Sequence, residues 1–187
     1  MTRTCPYRNP EEVVMSRRIN VLIGGAVALC AMAVPITAAT AAARAPAKQK
    51  LAIVGHSAFK VNRLAFDNQR FSKDSLAIRS GGTVTLVNRS KTMDPHSISL
   101  VERAQLPTGF DCEICGEIFA AHGAGGPGGG PANPVVDVGA PGYDQPGDST
   151  FVAPHATVRF AVSAAAGTTL HFICAIHPWM QGRIKVR

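Results

Sequence analysis

Residues 172–186 read Phe-Ile-Cys-Ala-Ile-His-Pro-Trp-Met-Gln-Gly-Arg-Ile-Lys-Val. Cys174, His177 and Met180 recur at every third position, so a thiolate, an imidazole and a thioether share one short loop. Leu170, Phe172 and Cys174 fall on one face of a strand over 169–174, which carries Cys174 into a core. Pro178 stiffens the loop, Gly182 frees the backbone after it, and 183–186 reads as a second strand. A loop anchored by strands at both ends keeps its donor atoms in place.

A soft thiolate beside imidazole and thioether suits copper. Trigonal His₂Cys with a weak, long axial Met is the donor set of a blue-copper site, and this loop lacks only the second imidazole. The segment resembles the C-terminal ligand loop of the cupredoxins. Its Cys-x-x-His-x-x-Met spacing is similar to the short, amicyanin-like form, whereas plastocyanin-like loops carry more residues before the Met. In that family the other imidazole lies upstream, in a His preceded by Pro and followed by Asn and an apolar residue. Here residues 93–98 read Met-Asp-Pro-His-Ser-Ile, with Pro95 and Ile98 in place and Ser97 where the family has Asn. That Asn ties the two ligand segments together, and the shorter Ser97 hydroxyl is expected to tie them less closely. The resemblance implies one type 1 copper held by His96, Cys174, His177 and Met180, and an all-β Greek-key sandwich.

A chain of 187 residues holds one domain or two. Residues 1–43 read as an N-terminal extension and export signal. Ser16-Arg17-Arg18 is the basic region, 19–34 an apolar run broken by Asn20, and 37–43 a small-residue tract with cleavage expected near 43. The run is too short and too rich in Ala and Gly for a spanning helix. Met15 is an alternative start to Met1. Arg17-Arg18 suggests twin-arginine export, with Asn20 against it, and Cys30 suggests lipidation, with Leu29 against it. The expected location is periplasmic, cell-surface or secreted, touching membrane only through an uncleaved signal or a lipid.

The formal net charge of +7 suits an acidic redox partner or plain solubility. No basic run with interleaved aromatics appears, which excludes a nucleic-acid interface. Three cysteines follow residue 43: Cys112, Cys115 and Cys174. If the first two pair, Cys174 is left over, as a metal thiolate must be.

Residues 44–50 read as a linker and 51–187 as one cupredoxin-like domain. An opening strand is expected over 51–61, a polar loop over 66–72, and a hairpin over 74–88 turning at Gly81-Gly82. Residues 102–150 read as a long Gly/Pro-rich loop insertion, densest over 123–134, lying between the two ligand segments. It contains Cys112-Glu-Ile-Cys115, with His122 seven residues on. Three readings stand for that cluster. One is a local disulfide, and one a second metal site using Cys112, Cys115, His122 and a carboxylate. The third is a redox-active dithiol, disfavoured because no helix is apparent for the pair to head. Val158, Phe160 and Val162 mark a further strand, and no helix is expected in the domain. His56, His155 and His171 are expected to be non-ligands.

The resemblance implies an exported electron carrier cycling between Cu(I) and Cu(II), exchanging electrons at His177 and docking redox proteins near His177, Pro178 and Trp179. The alternative is a protein that stores or delivers copper. The two methionines after residue 43, Met93 and Met180, are few for delivery. A copper enzyme would need further His clusters and domains, so no catalytic residue is assigned.

Overall fold

The computed structural model describes residues 44–124 and 130–187, and the expected export signal over 1–43 lies outside them. Among the described residues, twelve strands run in chain order: β1 (Lys48–Val54), β2 (Ser57–Lys60), β3 (Leu64–Asp67), β4 (Arg70–Phe71), β5 (Ser75–Ile78), β6 (Gly82–Asn88), β7 (His96–Val101), β8 (Val135–Val136), β9 (Ser149–Val152), β10 (Thr157–Val162), β11 (Thr169–Ile173) and β12 (Gln181–Val186). A 3-10 turn at Arg103–Gln105 and a helix, α1 (Glu113–Ala121), lie between β7 and β8. One sheet has the order β10-β6-β1-β4, a second the order β5-β12-β11-β7-β9-β8, and β2-β3 form a separate ribbon.

The two sheets face each other across one core. Alternate residues supply it: Leu51 and Ile53 from β1, Val84 and Leu86 from β6, Ile98 and Leu100 from β7, Leu170 and Phe172 from β11, Ile184 and Val186 from β12. Each such side chain contributes about 1.5–3 kcal/mol by leaving water. This is the expected all-β sandwich.

Several expectations change. Residues 74–88 do not form a hairpin: β5 pairs with β12, β6 pairs with β1 and β10, and Gly81-Gly82 carries the chain between sheets. Alternation marks each strand's buried face but is silent about which neighbour it pairs with. β1 starts at Lys48, inside the expected linker, and ends before Gly55, where φ is +114° and a Cβ would meet the Asn68 carbonyl oxygen at 2.5 Å. The expected loop over 66–72 contains the end of β3 and all of β4.

The largest correction is residues 102–150. They hold α1, and they reach the core: Tyr143 is buried, stacks on Phe160 with ring centroids 4.0 Å apart, and donates its hydroxyl to the Ile98 carbonyl. Cys115 and Ile118 of α1 pack on Val101, Phe151, Ile173 and Ala175, the face of the second sheet turned away from the sandwich. Every residue of β7 is therefore buried. The helical signal was present as Ile114, Cys115, Ile118 and Phe119, a spacing that makes one helix face, but the surrounding Gly/Pro composition masked it.

Candidate metal centre

His96 opens β7, and Cys174 follows β11. The pairing of Phe172 with Leu100 and Ile173 with Ser99 brings the two ends together. The loop between β11 and β12 closes on itself: Cys174 N–H donates to the Met180 carbonyl at 2.9 Å, and Met180 N–H to the His177 carbonyl at 2.8 Å. Gly182 is required for packing, since a Cβ there would strike the Phe172 ring.

The candidate donor atoms of His96, Cys174 and His177 all lie within 4.8 Å of one another. Cys174 Sγ is 3.7 Å from His96 Nδ1 and 3.9 Å from His177 Nδ1. An ion held at about 2.0–2.3 Å by nitrogen and sulfur at trigonal angles would set N···S separations of about 3.7 Å. All three are buried, and Met180 is buried in the same core cluster as Cys174. The donors therefore fit one type 1 copper: a thiolate, two imidazoles and a nearby thioether in an apolar shell.

The electrostatics keep the imidazoles available. Burial, with a smaller contribution from His177, pushes His96 down to about 4. Burial also lowers His177, while Asp67 and Asp94 act the other way. Burial pushes the Cys174 thiol up, partly offset by groups that stabilise the thiolate, Ser97 N–H at 3.4 Å first among them. A cation at the site would supply what burial withholds.

Ser97 makes the tie expected of the longer Asn: its hydroxyl accepts from Ala175 N–H at 2.8 Å, joining β7 to the ligand loop. Gln69, which the sequence reading placed in a loop and assigned no role, is fully buried over both imidazoles. Its Oε1 accepts from Thr92 Oγ1 and contacts His96 Nε2, both at 2.9 Å, and its Nε2 donates to Asp67 and Asp94. That Nε2 also stands 3.2 Å from His177 Nε2. With both outer nitrogens occupied, both Nδ1 atoms face the sulfur. Nothing in the local sequence flags Gln69, because its role depends on where β4 is placed.

The other expected residues fall elsewhere. Cys112 and Cys115 are joined to each other, with Cα atoms 5.3 Å apart, so neither offers a thiolate to a second metal. The pair does head a helix, α1, with Cys112 at its N-cap. His122 is not at that pair: its ring contacts the Asn133 carbonyl and Ser149 Oγ. His56 and His155 are exposed, and His171 is half-buried on β11; none joins the cluster.

Ligand segments at the start of β7 and between β11 and β12 of a two-sheet sandwich decide the fold class. The fold is that of the cupredoxins. No family model and no curated protein matches the chain. Among solved structures, it is similar to reduced auracyanin from Roseiflexus castenholzii, at 19% identity and TM-score 0.43, covering 76% of this chain and 98% of that one. It is similar to auracyanin A from Chloroflexus aurantiacus at 23% identity and TM-score 0.40, covering 74% and 99%. A purple cupredoxin from Nitrosopumilus maritimus follows at 17% identity and TM-score 0.38, covering 74% and 99%. The description of the fold rests on this chain's own strand order and pairing.

Proposed function

We propose that His96, Cys174, His177 and Met180 hold one type 1 copper and that the chain is an exported, non-enzymatic electron carrier. The observation that carries this reading is the buried His96–Cys174–His177 cluster with Met180 beside it. Copper supplies one-electron cycling between Cu(I) and Cu(II). The protein's part is to hold the donors still: β7, β11 and β12 fix the backbone, and Gln69 fixes the rings. A rigid, water-poor site keeps the geometry common to both oxidation states.

The proposed exit for electrons runs from His177 through its neighbour Trp179. His177 is 6% exposed, and Trp179 beside it is 42% exposed with its ring 5.1 Å from that of His177. Phe110, from residues 102–150, sits edge-on to Trp179 at 5.8 Å. With Phe59 and Phe66 of the β2-β3 ribbon they line an open apolar cleft. This face, around Pro178 and Trp179, is the proposed docking site for redox proteins, suited to weak and brief encounters. Delivery or storage of copper is the less favoured reading, because the donors are buried.

The test is electron self-exchange of the copper-loaded protein. Trp179→Ala should slow exchange at least tenfold with the visible spectrum unchanged. Unaltered exchange would remove Trp179 from the path, and rapid loss of copper to a mild chelator would favour delivery.

A further inference from the structure

A cluster of basic side chains on the second sheet has no part in the proposed function. On β12, Arg183 and Lys185 alternate with Ile184 and Val186, which are buried in the sandwich. The two basic residues therefore lie on the sheet face turned away from that core. Strand pairing sets His171 of β11 directly opposite Arg183, and Thr169 opposite Lys185. The 3-10 turn adds Arg103, and the chain just after it is tied to β12, because Gln181 Nε2 donates to the Pro107 carbonyl at 2.7 Å. Arg103, His171, Arg183 and Lys185 line one cavity of about 610 Å³.

This arrangement is unfavourable for the protein alone. Like charges opposite one another on a sheet face destabilise it. Asp74 is the carboxylate lining the cavity, and Glu102 lines a neighbouring one with Arg103 and His171. Neither neutralises the cluster: the one salt bridge among the described residues joins Asp67 to His177. Burial first, then Arg103 and Arg183, hold His171 below the ordinary imidazole range, while Glu102 acts the other way. The His171 ring thus feels both guanidinium groups.

A bound anion would turn this repulsion into attraction. Each guanidinium offers a planar fork that matches an oxyanion, Lys185 adds a point charge, and Thr169 adds a hydroxyl. The cavity has the size of a small-molecule site. Asp74 repels any anion there, so an ion with a single charge gains little and one with two or more gains most. We propose that Arg103, Arg183 and Lys185, with His171 and Thr169, form a binding site for a multiply charged phosphoryl oxyanion. A free phosphate compound and a lipid headgroup offer the same chemistry. The site does not depend on copper.

The probe is inorganic pyrophosphate, titrated calorimetrically into the metal-free whole protein at about 0.15 M salt, where distant charges are screened. Binding should be saturable and should shift the NMR signals of the His171 ring. Arg103 and Arg183 are exposed, so their replacement leaves the core intact. Arg103→Gln and Arg183→Gln should each weaken binding about tenfold or more, the cost of one charge-assisted contact. Arg159→Gln removes the same charge from β10 of the other sheet and should leave the affinity nearly unchanged. Equal losses in all three variants would mean attraction by net charge alone and overturn the site. Vesicles of phosphatidylcholine with and without phosphatidylglycerol separate the two sources. Sedimentation with the anionic vesicles that Arg183→Gln abolishes assigns the phosphoryl group to a headgroup, and pyrophosphate binding without sedimentation assigns it to a free compound. Failure of both probes overturns the proposal, whether or not the chain takes copper.

Discussion

The two faces of β7 differ in what they carry and in how they can be read. His96, Ile98 and Leu100 point into the sandwich and meet the other sheet, with His96 reaching the donor cluster at its end. Ser97 and Ser99 lie on the opposite face with their hydroxyls hydrogen-bonded, where Val101 is covered by α1 and its neighbours. The inner face follows from alternation within each strand. The outer face depends on a segment far along the chain and on a partner that alternation does not name. Polar residues there read as solvent-facing when they are in fact buried and hydrogen-bonded.

The largest expected effect comes from removing the outer cover. Replacing residues 105–148 by a short Gly/Ser link looks harmless if that stretch is a structureless loop. It would instead expose Val101, Phe151 and Ile173 and delete Tyr143. At roughly 1.5–3 kcal/mol per large apolar side chain, the loss should approach the whole stability of a domain. The shortened chain should show no cooperative thermal transition; a transition near the parental temperature would restore the loop reading.

The inner face should respond next. Phe172 is fully buried and meets Phe71 edge-on at 5.1 Å, so Phe172→Ala should cost about 3–5 kcal/mol in denaturant unfolding. Ile118→Ala, on the helix that covers the outer face, should cost less, about 2–3 kcal/mol, because that site is open to solvent at its rim. Equal costs would mean the outer cluster is as tightly packed as the sandwich.

A smaller effect follows from pH. His96 is held neutral in the folded state, down to about 4 against an ordinary value of 6.5. The unfolded chain therefore takes up a proton first, so stability of the metal-free protein is full above about 6.5 and falls as pH drops from there toward about 4. His96→Gln should flatten that decline in urea titrations at successive pH values. Met180→Gln should be milder still, keeping copper while shifting the reduction potential.

The sequence carried the candidate donor set because Cys, His and Met at fixed spacing, flanked by strand signals, have few other uses. Cys174, His177 and Met180 are local to one another, and His96 was found through Pro95 and Ile98. Gln69, the hydrogen bonds joining Ser97, Ser99, Ser149 and His122, and the packing of α1 were not legible. Each is a tertiary arrangement between segments apart in the chain: Gln69 lies 27 residues from His96 and 108 from His177, and Ser99 lies 50 from Ser149.

The most direct test of the central claim is the visible spectrum of the Cu(II)-loaded protein beside its Cys174→Ser variant. One equivalent of copper should give an intense charge-transfer band in the parent, and the folded variant should lack it. A weak, ordinary Cu(II) spectrum in the parent, or a band that survives in Cys174→Ser, would contradict the account.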